Sequence, residues 1–466
     1  MRALRRRAFS QLVAGLFGSA LAFPGVAAVP VAAGVLMHPT LTDYAQINSS
    51  TTPPNEAQCE LVGRRCFTPQ AIQSAYHVSP LYTANINGAG TTIAIVDSFG
   101  SDTIAHDLHV FDTAFGLQPM CGEENVTCGS GMPTFSQFHY GGAVPTNPIP
   151  GHNTTGLQDH SAWAIEVSLD VETAHAMAPM ANILLVTTPT AETLGLQGFP
   201  DMVNAEQYVI DHHMANVISQ SFASAEDAFG SFQSLLNLRH AYISAAQNGV
   251  TVLGSSGDNG VANVSKQPWK VQPVIPFPTV VWPASDPLVT GVGGTYLCTD
   301  PTAQTNDPRT IYAGPPGKCL ANPTQSEVGW TFSGGGFSHV FSKPSYQNTL
   351  PSGSTAIGSM RGVPDIGLMA SAGSGALIYV SLPPAGTSGL ICDTGNPCST
   401  GWYDIGGTSL SCPQWAALVA MADQKAGHGL GLINPTLYSL ASGSSYSNDF
   451  YDVTVGNNTQ VFSNGT

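Results

Sequence analysis

The chain has 466 residues, 42% of them hydrophobic. That is enough for one large domain or two medium ones, and too apolar for a disordered chain. Only 9% are charged, 14 Lys+Arg against 30 Asp+Glu, a balance that repels nucleic acid and anionic membranes.

Residues 1–33 read as an export signal. Arg2, Arg5, Arg6 and Arg7 precede an uncharged stretch that starts at Gln11 and runs on to Met37, and Ala20-Leu21-Ala22 offers a cleavage site. Pro24 and Pro30 disfavour the rival reading, a membrane-spanning anchor. The expected location is extracellular. Without the four arginines, ten basic groups (14 − 4) face thirty acidic ones, a net of −20. Low pH would neutralise those carboxylates, so the composition suits an acidic medium. Residues 34–65 are polar, contain prolines and lack periodicity; they are expected to be a short leader or linker. They end at Arg64-Arg65, a candidate processing site.

From Cys66 to Thr466 short apolar runs alternate with helical stretches. Thr91–Asp97, Ile183–Val186, Val217–Ser219, Val250–Leu253 and Leu377–Val380 read as buried strands. Residues 160–177, 202–214 and 227–247 read as helices. The alternation predicts an α/β fold, a parallel sheet flanked by helices in a single domain, with the active site at the carboxyl ends of the strands. Eight of the nine cysteines fall into local pairs, Cys59/Cys66, Cys121/Cys128, Cys298/Cys319 and Cys392/Cys398. Such spacing suits disulfide-closed loops in an oxidising compartment and leaves Cys412 as a buried thiol. Without CxxC or HExxH, zinc is not expected.

Three segments carry chemistry. In Gly406-Gly407-Thr408-Ser409-Leu410-Ser411-Cys412-Pro413 the glycines permit a sharp turn, Pro413 suits the first turn of a helix, and Gly427 suits its end. A serine held there is exposed to backbone N–H groups that can stabilise an oxyanion; the plainer alternative is that Thr408 and Ser409 are helix caps. Glu166 and Asp170 are four residues apart on a helix and share one face. Their neighbours Ile165, Val167, Leu169 and Val171 favour burial, and no Lys or Arg occurs between Arg65 and Arg239. A proton shared by the two carboxylates is a way to hold such a pair. In Gly254-Ser255-Ser256-Gly257-Asp258-Asn259-Gly260, Asp258 is either a turn residue or, kept neutral, a donor to an oxyanion.

Together these segments resemble the sedolisins, the serine-carboxyl peptidases with a subtilisin-like fold. The resemblance runs from about Cys66 to Val453 and includes Phe67-Thr68-Pro69-Gln70, Ser219-Gln220-Ser221-Phe222, Trp282-Pro283-Ala284-Ser285, Ser333-Gly334-Gly335-Gly336 and Arg361-Gly362-Val363-Pro364-Asp365. It implies Ser409 as nucleophile, Glu166 as general base, Asp170 as its charge-sharing partner and Asp258 as oxyanion donor. It also implies that Ser219, Ser221, Ser255 and Gly257 lie where an extended peptide binds, so peptides or unfolded proteins are the expected substrates of a secreted, acid-acting, monomeric endopeptidase. Nucleic acid and membrane partners are not expected. Two departures stand out. The family's large pro-domain has no counterpart in residues 1–65, and Asp452-Val453 matches only the start of the family's calcium site. Calcium is therefore expected at most through an incomplete site.

Two rivals remain. A histidine-based subtilisin would use Asp97, His152 or His160, and Ser409, but neither histidine sits in a His-Gly-Thr motif. A catalytically dead, exported peptide-binding protein would have no need of the four chemical positions. His175, His212 and His213 read as structural or exposed.

Overall fold

The computed structural model describes residues 38–39, 43–142, 155–189, 198–263, 274–302, 319, 321–322, 324–350, 357–383, 390–392 and 396–460. The expected signal, residues 1–33, and His152 lie outside them. Residues from Gly34 onward form one compact unit.

The chain opens with His38–Pro39 (β1), Tyr44–Asn48 (β2), Glu56–Leu61 (α1) and Cys66–Phe67 (β3). Pro69–Ala75 (α2), Ser79–Thr83 (α3), Thr92–Ser98 (β4), Ile104–Phe115 (α4) and Phe135–His139 (β5) follow. Next come Thr155–Met177 (α5), Asn182–Thr188 (β6), Gly198–Asp211 (α6), Val217–Gln220 (β7) and Phe222–Ala225 (β8). Phe232–Leu236 (α7), His240–Asn248 (α8), Thr251–Ser255 (β9), Val281–Trp282 (β10) and Thr290–Leu297 (β11) continue the fold. Glu327–Gly329 (β12), Gly336–Ser342 (β13), Met360–Val363 (β14), Ile366–Met369 (β15), Gly375–Val380 (β16) and Gly401–Ile405 (β17) complete the strands. Thr408–Ala426 (α9) and Asn434–Ala441 (α10) are the later helices used below.

The main sheet has the order β12-β11-β9-β7-β4-β6-β5, with β15 also on β11. Its centre is parallel: β5, β6, β4, β7, β9 and β11 pair in that direction. Alternate side chains of β4 enter opposite cores, as a pleated strand requires. Ile93 and Ile95 join Leu108, Ile165, Leu169 and Ala416 on one face; Ala94 and Val96 join Val186, Phe199, Met202 and Trp282 on the other. Helix α5 is apolar on several sides, so it runs through the first core rather than over it. Its carboxylates Glu166, Asp170 and Glu172 are therefore committed to a dry environment.

Three expectations change. The run Leu377–Val380 lies in β16, outside the main sheet, antiparallel to β17 in the four-stranded sheet β2-β17-β16-β3. An apolar run reports burial but not the partner strand. The helix expected over 227–247 is instead two: Ser231 starts α7, its side chain accepting from the Ser234 amide in a capping box, and α8 begins separately after Arg239. Third, the stretch 34–65 is not a loose linker where it is described. Strand β2 pairs with β17, β1 pairs with β8, and Asn55 caps α1. Arg65 is fully buried, with its guanidinium on the carbonyls of Leu297 and Thr299, which makes the dibasic pair inaccessible for processing in this fold.

All four expected cysteine pairs are disulfides, and Cys412 is free and buried. No described helix is long and apolar enough to cross a membrane.

Candidate active site

Ser409 sits at the second position of α9, behind Gly407, whose φ of 126° suits glycine. The cap position is Gly407 itself, with no side-chain capping bond, so Thr408 and Ser409 do not cap. At a helix start these amides have no intrahelical carbonyl to bond, and that of Thr408 donates to Asp258 Oδ1 instead. Pro413 lies one turn further in than expected, because the helix already begins at Thr408. Lacking an N–H, it cannot bond the Ser409 carbonyl as the regular pattern would. Gly427 ends the helix in the left-handed conformation, as expected.

Glu166 and Asp170 lie on α5, both with no exposed surface. The Ser409 hydroxyl approaches Glu166 and favours its charged form, although neither Glu166 oxygen holds a well-formed hydrogen bond. Such bonds often tighten only when substrate is present. Asp170 accepts one hydrogen bond, from the Ser221 hydroxyl at 3.0 Å. Burial, then the charge of Asp170, then that of Asp97, push Glu166 well above the usual carboxylate range. Burial and Asp97 do the same to Asp170, against the pull of Ser221.

Asp97 is the residue that sequence reasoning misplaced, since it entered only as part of the histidine rival. It is the penultimate residue of β4, is fully buried and has no hydrogen bond on either oxygen. Burial pushes it up to about 8. Three carboxyl groups thus share one dry pocket, and among the described residues no salt bridge reaches any of them. The pocket must hold protons instead of cations. The other rival partner, His160, stacks on Phe99 with ring centroids 4.0 Å apart, and burial lowers its pKa.

Asp258 lies in the loop after β9 and meets α9 across 150 residues of sequence. Its Oδ1 accepts from the Thr408 amide at 2.8 Å and the Thr408 hydroxyl at 2.9 Å. That loop is clamped by Ser333-Gly334-Gly335: the Gly334 amide donates to the Gly257 carbonyl, and Ser256 Oγ donates to the Gly334 carbonyl at 2.8 Å. An added methyl at Gly334 would overlap the Ser256 carbonyl, which explains the glycine there.

The four expected peptide-binding residues sit differently. Ser219 lies in β7 between Ile95 and Leu253, inside the sheet, and its hydroxyl turns to Cys412. Ser221 is spent on Asp170. Ser255 is buried in β9, and Gly257 has both backbone groups bonded, its amide to Thr408 Oγ1. The strand that follows Ser221 offers more: β8 pairs antiparallel with β1, His38 opposite Ala223 and Pro39 opposite Phe222. Alternation alone could not show that this stretch leaves the main sheet for a separate one, where β8 lies between β1 and β10. The buried Arg361–Asp365 pair is structural, its carboxylate also accepting the Gly291 amide.

Asp452 is exposed and Val453 half-buried. Among the described residues no group of three or more His, Cys, Asp or Glu is placed to hold a metal, and Asp452 stands in no such group.

Known proteins share this arrangement of segments. The chain is 28% identical over 407 residues to kumamolisin of Bacillus sp. (strain MN-32), covering 86% of this chain and 59% of that protein. It is 26% identical over 392 residues to sedolisin of Pseudomonas sp. (strain 101), covering 84% and 55%. The chain is thus similar to peptidases of the sedolisin family along most of its length. Human tripeptidyl-peptidase 1 is 27% identical over 320 residues, covering 65% and 46%. This chain thus spans little more than half the length of the curated relatives it matches first. No family model matches it. The solved structure of Pseudomonas sedolisin, a serine-carboxyl proteinase complexed with two molecules of pseudo-iodotyrostatin, has the same fold. Its TM-score is 0.60 at 24% identity, over 85% of this chain and 90% of that one.

Proposed function

We propose that this chain is an exported, acid-acting serine-carboxyl endopeptidase of the sedolisin family. The observation that carries the reading is Glu166: a buried carboxyl beside a serine at a helix start, in a pocket with Asp170 and Asp97 that no salt bridge reaches among the described residues. Ser409 attacks the scissile carbonyl while Glu166 takes its proton, and Asp170 shares the resulting charge and proton. The oxyanion is held by a helix-start amide and by Asp258 in its neutral form. Glu166 returns the proton to the leaving amine, and water then hydrolyses the acyl-enzyme with the same base. Asp258 must keep its proton to act, so activity falls as pH rises.

An extended peptide substrate would add along the side of β8 that β1 covers in this chain, the other side being paired with β10. Four disulfides are consistent with export. Calcium has no role in these steps.

The test is hydrolysis of denatured protein from pH 2 to 8 by the purified chain and by Glu166→Ala and Ser409→Ala. Activity confined to acid pH and lost in both variants is the expected result. A neutral optimum that survives Glu166→Ala would sink the reading. No activity at any pH, with no labelling of Ser409 by an acylating reagent, would point to a binding protein.

A further inference from the structure

The contacts of Thr408 exceed what a helix-start residue needs. Its hydroxyl oxygen accepts the Gly257 amide at 3.0 Å, and the same hydroxyl lies 2.9 Å from Asp258 Oδ1. A hydroxyl has one hydrogen to give. With Gly257 donating to its oxygen, that hydrogen is directed to Asp258. The Thr408 amide donates to the same carboxyl oxygen at 2.8 Å. Thr408, Asp258 and Gly257 are all buried, so water does not compete for these bonds.

We propose that Thr408 is a positioning residue that selects which oxygen of Asp258 carries the proton. An oxygen that accepts two N–H or O–H donors has no room for a proton of its own. The acid proton therefore resides on Oδ2, and in the mechanism above that oxygen is the one that donates to the developing oxyanion. A carboxyl group that had to rotate or exchange its proton during the reaction would lose the benefit of a fixed donor. The arrangement also ties the donor to the nucleophile: Thr408 precedes Ser409 on the same helix turn, so one rigid element aims both. This inference rests on the serine-carboxyl reading above.

The alternative is that Thr408 only secures the loop. Its methyl group faces Gly294, and Thr408→Val keeps that packing while deleting the hydroxyl. Thr408→Ser keeps the hydroxyl and drops the methyl. A purely structural role predicts similar behaviour or a loss of folded protein; a positioning role predicts that the two variants split.

The experiment measures kcat and KM across pH 2 to 8 for the wild-type chain, Thr408→Val and Thr408→Ser, with thermal melts to confirm folding. Loss of one oxyanion donor lowers kcat by roughly 100- to 1,000-fold, and a donor that is misaimed but present should lose less, about 10- to 100-fold. The expected result is that fall in Thr408→Val, with KM within about twofold, and near-normal kcat in Thr408→Ser. The hydroxyl also favours the ionised form of Asp258, so the alkaline limb of kcat should move to higher pH in Thr408→Val only. Unchanged kcat, or a fall in kcat with an unmoved limb, overturns the proposal. If Thr408→Val does not fold, Thr408→Ala against Thr408→Ser makes the same comparison. A wild-type chain that neither cleaves protein nor acylates at Ser409 overturns the underlying peptidase reading instead.

Discussion

Helix α5 carries two buried acidic clusters within about three turns, and they are held in opposite ways. Toward its C-terminal end, Glu172 accepts the Tyr379 amide at 3.0 Å. His175 Nε2 lies 3.0 Å from Asp112 and 2.8 Å from the Gln118 carbonyl. Glu123, beside them, takes the Met120 amide and lies 3.3 Å from His109. These groups are served by backbone donors and histidines. One and two turns earlier, Glu166, Asp170 and Asp97 have a serine hydroxyl on Asp170, the Ser409 hydroxyl near Glu166, and no salt bridge among the described residues. Burial of carboxylates is common to both clusters and does not by itself mark chemistry. What sets the second apart is that its proton-holding capacity is left unspent and faces a nucleophile.

The sharpest way to break this comparison is a matched pair of substitutions on the one helix. Glu166→Gln should lower kcat by about 1,000-fold or more while leaving a folded protein, since a general base is lost. Glu172→Gln should leave kcat within about threefold, because glutamine still accepts the Tyr379 amide. Burial holds Glu172 well above the usual range, so an uncharged side chain already stands in for its native state at acid pH. Equal losses in both variants, measured with melting curves alongside, would erase the distinction.

A second break targets the histidine cluster. Burial alone would lower the pKa of His175, but Asp112 and Glu123 outweigh it and the net direction is up. A raised histidine pKa adds stability that is complete below the unfolded value, 6.5, and is lost as pH rises through the folded one. His175→Gln should therefore cost about 2–4 kcal/mol of stability at pH 5, with a smaller deficit above neutrality and kcat per folded molecule unchanged. Denaturant melts at the two pH values check both the size and the sign.

How much of this was legible beforehand depended on distance along the chain. The Glu166/Asp170 pair was readable because helix periodicity puts residues four apart on one face, and the apolar neighbours gave its burial. Ser409 was readable because glycines before an apolar helix mark a tight entry. The third carboxylate was not, because Asp97 reaches the pair only through the packing of α5 on β4. The bond between Thr408 and Asp258 likewise joins distant segments that no local pattern relates. Periodicity also does not say that Ser219 lies in β7 inside the main sheet while β8 belongs to a separate three-stranded sheet, between β1 and β10. The stretch 34–65 has too little periodicity to show strands that form only against partners far away, β2 on β17 and β1 on β8.

The last break isolates the third carboxylate. Asp97 has an ordinary value of 3.8 and is pushed up to about 8 in the fold. Between those values the folded state holds a proton that the unfolded chain has released, so stability must fall as pH rises from about 4 to about 8. This is the reverse of the usual salt-bridged aspartate, which gains stability over that range. Asp97→Asn cannot ionise and keeps nearly the same shape. It should flatten the decline by up to about 1.4 kcal/mol per pH unit, and the gap from wild type should be widest near pH 8 and vanish near pH 4. Its effect on kcat at acid pH should be under about tenfold, because Asp97 is neutral there and asparagine replaces one uncharged group by another. Parallel stability curves for the two proteins between pH 4 and 8 would mean that Asp97 holds no proton in the fold, and the pocket would then need a positive partner that its present neighbours do not supply.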